Sequence, residues 1–193
     1  TEPVADFDLV EGDVAVDAVL DPSRRLGGQA EERADRRPRG AAGAELLRAY
    51  VVGFEVQARL GQALGKPHYE RGWHATSTLG VFGATAASGV LLGLDASALR
   101  RAFGIATSRA SGTRGNFGTD AKPLHAGLAA RAGLEAAELA RRSVTAREDA
   151  LEMEMGLADL YGGARPLELP PLDAGYALDV PGVELKPYPS CPF

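Results

Sequence analysis

At 193 residues and 20.1 kDa the chain can form one full domain, and 45% hydrophobic with 24% charged residues excludes a disordered polymer. Twenty-one basic against 26 acidic residues give a net charge of −5 without a basic stripe, which argues against a nucleic-acid partner. The single cysteine, Cys191, excludes an internal disulfide and a thiolate metal cage, and points to a reducing, cytoplasmic compartment.

Thirty-four alanines and 24 glycines beside only 6% aromatic residues favour closely packed helices over a β-sandwich. The first residues, Thr1 to Asp6, have neither the basic nor the apolar region of a signal peptide. Residues 1–42 read as an irregular segment: an acidic opening around Asp6 and Asp8 is followed by an arginine-rich mixed-charge run from Ser23 to Gly40. From Gly43, Leu46, Leu47, Tyr50, Val51, Phe54 and Ala58 recur at helical spacing and predict one apolar stripe to about Leu64, ended by Gly65-Lys66-Pro67. Residues 68–75 are expected to be a loop that leaves His68 exposed, with Thr76 or Ser77 capping the next helix.

That helix runs to about Leu92 and offers Gly80, Gly83, Ala84, Ala87 and Ser88 as a small-residue face. The 20 residues from Ala75 to Leu94 carry no charge, but their hydroxyls and glycines favour a buried core helix over a membrane span. Asp95 caps a further helix whose Leu99, Ala102, Phe103 and Ala106 face inward. After a glycine-punctuated loop from Ser111 to Ala121, Pro123 opens a long alanine-rich helix to about Arg142. Thr145 and Glu148 form a capping-box pair for a short helix, and Tyr176–Val180 and Val183–Leu185 are candidate strands. Residues 43–163 thus read as a helical core domain and 164–193 as the beginning of a smaller unit.

Chemistry concentrates at Gly112 to His125. A helix N-terminus presents unpaired N–H groups and partial positive charge to an anion, and Lys122 stands at its start with His125 three residues on. Arg114 and Asn116 add donors for a carboxylate, and the phosphate-binding pattern GxxxxGK[ST] is absent. A solvent-facing lysine on a capped helix explains Lys122 equally well. His74 precedes a helix start, where it either moves protons near pH 7 or donates structurally to a carbonyl. Three scattered histidines and one cysteine make a zinc site improbable.

Gly72-Trp73-His74-Ala75-Thr76, Gly83-Ala84, Leu92-Gly93-Leu94-Asp95 and Ala102-Phe103-Gly104-Ile105-Ala106 resemble the MmgE/PrpD superfamily in order and spacing. So do Ala121-Lys122-Pro123-Leu124-His125-Ala126-Gly127, Ala129 to Leu134, and Lys186-Pro187-Tyr188-Pro189-Ser190-Cys191. The resemblance implies a mainly α fold, an all-helical core domain with only the start of a smaller α+β lid domain, forming a homodimer. It implies a cofactor-independent lyase, a dehydratase or decarboxylase, that moves a proton next to a carboxylate on a small di- or tricarboxylic acid such as 2-methylcitrate or cis-aconitate. An epimerase on the same scaffold, or an inactive member that only binds carboxylates or dimerises, is the rival expectation. Carried over by position, His74, Lys122 and Asp6 match site residues and Lys186 matches a further basic residue near the substrate, while no histidine follows Asp6 between Asp13 and Val19 as the family pattern has it. The same resemblance makes both ends look clipped.

Overall fold

The computed structural model describes residues 41–162, 167–171 and 175–184. Five helices carry the body: α1 (Gly43–Glu70), the single turn α2 (Ala75–Thr78), α3 (Gly80–Leu92), α4 (Ala96–Thr107) and α5 (Ala121–Arg141). The fold is mainly α, as expected, and among the described residues the only β pairing is an isolated antiparallel bridge between Trp73 and Thr113. Of the irregular segment expected over residues 1–42, residues 1–40, with Asp6 among them, lie outside the described residues, and so does Lys186.

Small residues decide how the helices meet. A Cβ built on Gly53 of α1 would stand 2.6 Å from the Gly83 carbonyl oxygen of α3, and one on Gly83 would stand 2.7 Å from the Gly53 oxygen. On its other side α3 receives α5, where a Cβ on Gly133 would meet the Val81 oxygen and the Thr85 nitrogen, each at 2.7 Å. The predicted small-residue face of α3 is therefore two faces, one for each long neighbour. Leu60, Leu79, Val81, Phe82, Leu99, Phe103, Ala136, Ala137 and Leu157 fill the core around these contacts. The apolar run Ala75–Leu92 is long enough and apolar enough to cross a membrane by length and composition; here it is broken at Leu79 and lies inside the bundle.

Contact with α3 also selects which stripe of α1 is buried. Ala49, Gly53, Leu60 and Leu64 face inward with Val52 and Val56 against them, whereas Leu46, Leu47 and Tyr50 are exposed. The sequence expectation had placed these last three on the inner face; the buried line is rotated because only Gly53 admits the α3 backbone so closely. Leu124, Leu128 and Leu134 of α5 are likewise exposed.

The termini of the helices differ from expectation in instructive ways. Gly65 breaks α1 with φ 58° and ψ −159°, as its position suggested, but the chain resumes helical geometry through Glu70 with Pro67 at the start of the new turn. His68 is consequently helical and 2% exposed rather than an exposed loop residue. His74, not Thr76 or Ser77, stands at the cap of α2, its carbonyl accepting from the Ser77 and Thr78 N–H groups. Asp95 does cap α4, accepting from the Ala98 N–H at 2.7 Å. Glu148 heads no helix: its carboxylate accepts from Ser97 at 2.7 Å and Arg101 at 3.3 Å, and the chain continues in turns.

The segment after residue 166 is held by a buried ion pair. Arg59 donates to Glu55 at 3.2 Å and to the carbonyls of Pro170, Pro171 and Gly175. Glu55 accepts the backbone N–H groups of Ala177 and Leu178 at 3.0 and 2.9 Å. Those N–H groups, taken by a carboxylate, are lost to any ladder, so Leu178–Gly182 forms a π-type turn where a strand was expected.

Two substitutions separate these contributions. Gly83→Ala should destabilise by about 1–3 kcal/mol, because its methyl meets backbone that cannot withdraw, whereas Gly127→Ala, with open space around it, should stabilise α5 by about 0.5–1 kcal/mol. Arg59→Met should cost about 3–5 kcal/mol by leaving a buried carboxylate without its cation. Urea denaturation of each protein measures all three.

Candidate active site

Two backbone hydrogen bonds join the residues before α2 to the loop before α5. The His74 N–H donates to the Gly112 carbonyl at 3.1 Å, and the Arg114 N–H donates to the Gly72 carbonyl at 2.8 Å. Gly112 holds φ 107°, and a Cβ there would come within 2.6 Å of the Ser77 Cβ and Oγ. Only glycine satisfies both the backbone angle and the approach, so this residue lets the loop close over α2.

Closure brings His74 onto α5. Its Nδ1 lies 2.9 Å from Nδ1 of His125, with ring centroids 5.1 Å apart, and both imidazoles are buried. Phe117 presents its ring edge-on to His74 at 4.9 Å, and the Lys122 ammonium stands 5.2 Å from the centre of the same Phe117 ring. Lys122 is the second residue of α5 and half-buried, whereas the sequence placed it immediately before a helix opened by Pro123. The structure thus brings His74 and Lys122 to Phe117, and His125 to His74, at a helix N-terminus.

Arg114 and Asn116 occupy a short 3-10 turn (Arg114–Asn116) beside this group. The Arg114 guanidinium lies over the Tyr69 ring at 3.8 Å and donates to the Tyr69 carbonyl at 3.1 Å. That stacking directs Arg114 toward the end of α1, while Asn116 is exposed. No group of three His, Cys, Asp or Glu residues among those described is placed to hold a metal ion.

A second tier supports the first. Nε2 of His68 lies 2.8 Å from the Thr78 hydroxyl, which also reaches the His74 carbonyl at 3.2 Å. Trp73 stacks on Tyr161 at 4.6 Å, and the Tyr161 hydroxyl donates to the Ala110 carbonyl at 2.6 Å. These residues clamp the two segments that carry His74 and Gly112. The reading from sequence missed Phe117, Ser77 and this tier; the lone aromatic in a glycine-rich loop, and a threonine one turn after His74, were the available signals.

Burial, foremost, and then the positive fields of His125 and Lys122 lower the His74 pKa below the ordinary imidazole value. Burial also lowers His68, opposed by its contact with the Tyr161 carbonyl. A buried imidazole that stays neutral beside an ammonium can take a proton from a weak acid, and the ammonium can hold a carboxylate in reach.

The profile of the MmgE/PrpD N-terminal domain matches residues 28–170. Cis-aconitate decarboxylase of Homo sapiens is 35% identical over 151 residues, covering 77% of this chain and 31% of that protein, and that of Mus musculus aligns with the same figures. Cis-aconitate decarboxylase of Aspergillus terreus is 34% identical over 117 residues, 60% of this chain and 24% of that protein. The chain spans about a third of the length of the mammalian relatives it matches.

The pKa directions fix the acid response of the fold. In the unfolded chain His68 and His74 protonate near the ordinary value of about 6.5, whereas in the folded chain they stay neutral to lower pH. The unfolded state therefore binds more protons just below that value, so stability is fully present above about pH 6.5 and declines as pH falls below it. Denaturant midpoints measured between about pH 7.5 and pH 5 should fall, and His68→Gln should reduce the slope; an unchanged slope contradicts the assignment for His68.

Proposed function

The chain belongs to the MmgE/PrpD superfamily, and on that premise we propose that it carries the helical-domain part of a lyase site for a small di- or tricarboxylic acid. Cis-aconitate is the first candidate substrate, with 2-methylcitrate the alternative, and no metal or organic cofactor takes part. The observation that carries this reading is the meeting of His74, His125 and Lys122 at the N-terminus of α5. The relatives named for cis-aconitate decarboxylation support the substrate class.

In this reading Lys122 and the first N–H groups of α5 hold one substrate carboxylate. Their positive charge stabilises the electron pair left on the adjacent carbon when a carboxyl group departs as carbon dioxide, or when a proton departs before hydroxide. His74 exchanges the proton at that carbon, giving it after decarboxylation or taking it before dehydration. Arg114 and Asn116 border the site as further donors, and Asp6 and Lys186 complete it in the correspondence with the family. The protein acts as a cytoplasmic homodimer in the same reading.

Calorimetry with cis-aconitate, citrate and 2-methylcitrate tests binding, and the ultraviolet absorbance of the unsaturated acid follows turnover. Lys122→Ala should weaken carboxylate binding by about 1.5–3 kcal/mol, the range for a hydrogen bond to a charged group, with the fold intact. Unchanged affinity and turnover in that variant would remove Lys122 from the site. Racemisation at the acidic carbon without a change in unsaturation would favour the epimerase alternative.

A further inference from the structure

We propose that His125 is a positioning residue: through the Nδ1–Nδ1 hydrogen bond it sets which ring nitrogen of His74 carries the proton. For its catalytic consequence this rests on the proton-transfer role proposed for His74; the pairing itself stands on geometry alone.

Two imidazole nitrogens 2.9 Å apart cannot both be bare, and they cannot both carry hydrogen. One proton lies between them, so the rings hold complementary tautomers: where one has Nδ1–H and a bare Nε2, the other has a bare Nδ1 and Nε2–H. A doubly cationic pair would put two hydrogens into the same gap. The contact therefore admits one added proton and no more while it lasts.

On the loop side His74 meets the Phe117 ring edge and gives its backbone N–H to Gly112, and on the α5 side it meets His125. In this assignment His125 takes the acceptor's part in the Nδ1–Nδ1 contact. His74 accordingly donates from Nδ1 to His125 and presents Nε2 without a proton. Neither Nε2 has a hydrogen-bond partner among the described residues, which leaves the His74 Nε2 open to exchange a proton with a ligand. When that nitrogen takes a proton, the Nδ1 proton moves across to His125: one N–H forms at each ring, one breaks at His74, and the charge comes to rest on the pair.

The chain has three histidines, so the imidazole nitrogens of the uniformly 15N-labelled full chain can be assigned with single substitutions. Near pH 7.5, two-bond proton–nitrogen correlation should show Nδ1–H with bare Nε2 for His74, and the reverse for His125. In His125→Phe, His74 should change to the Nε2–H form, while His125→Gln, which keeps a carbonyl acceptor, should retain Nδ1–H. Should His125→Phe fail to fold, wild type and His125→Gln decide: Nε2–H on His74 in either of them overturns the proposal. An unchanged His74 tautomer in folded His125→Phe overturns it as well.

With cis-aconitate, kcat of His125→Phe should fall about tenfold or more with little change in KM, and His125→Gln should recover part of it. A tautomer switch in a wild-type chain that leaves cis-aconitate untouched would sustain the pairing and reject the lyase reading. Turnover without a switch would do the opposite.

Discussion

Helix α3 touches the backbone of both long helices beside it, and the positions of all other parts follow from that approach. Gly53 and Gly83 bring α1 and α3 into carbonyl contact on one side, and Gly133 admits α5 against Val81 and Thr85 on the other. Interiors are packed like crystals, so a methyl group inserted at any of these points has to move a helix rather than a side chain. The distance from α3 to α5 sets how far His125 projects toward the turn that precedes α3. His74 stands six residues before Gly80 and His125 eight before Gly133, so small shifts at the helix crossing are felt at the imidazole pair.

Several polar groups buried among the described residues have a second task. Glu55 and Arg59 cost hydration to bury, yet between them they satisfy three carbonyls and two N–H groups of the segment after residue 166. Without that pair the same backbone groups would need water or a strand partner. His68 and Thr78 act similarly, holding the His74 carbonyl from beneath. The interior charges and hydroxyls thus fasten irregular chain onto regular helices, and the irregular chain carries the site.

Much of this was legible in the residues. Alanine and glycine excess stated that helices approach closely, Asp95 announced its cap, and Pro123 marked the start of a helix. What remained hidden depended on partners distant in sequence. The stripe through Leu46, Leu47 and Tyr50 has helical spacing as good as the buried one, and only Gly53 meeting Gly83 decides between them. His68 follows a proline, a position that reads as loop until the helix restarts there. Tyr176 to Val180 has strand composition, but Glu55, more than 100 residues earlier, takes its N–H groups. Asp6 and Lys186 fall outside the described residues, so their part in the site stays a matter of resemblance to the family.

The electrostatics of the imidazole pair bear on what the proposed site would favour. Burial keeps His74 neutral, and its contact with His125 makes a second added proton to the pair costly while the hydrogen bond persists. The Lys122 ammonium, in the first turn of α5, and the helix N-terminus supply positive charge to this group. An anion settling there would offset the ammonium field that depresses His74 and raise the basicity of that imidazole, since an opposite charge nearby favours the protonated form. Carboxylate binding and readiness to accept a proton would therefore rise together, and a vacant site would hold a weak base. Such coupling needs no moving part: it follows from placing one cation, and one imidazole of a mutually bonded pair, against the same phenyl ring.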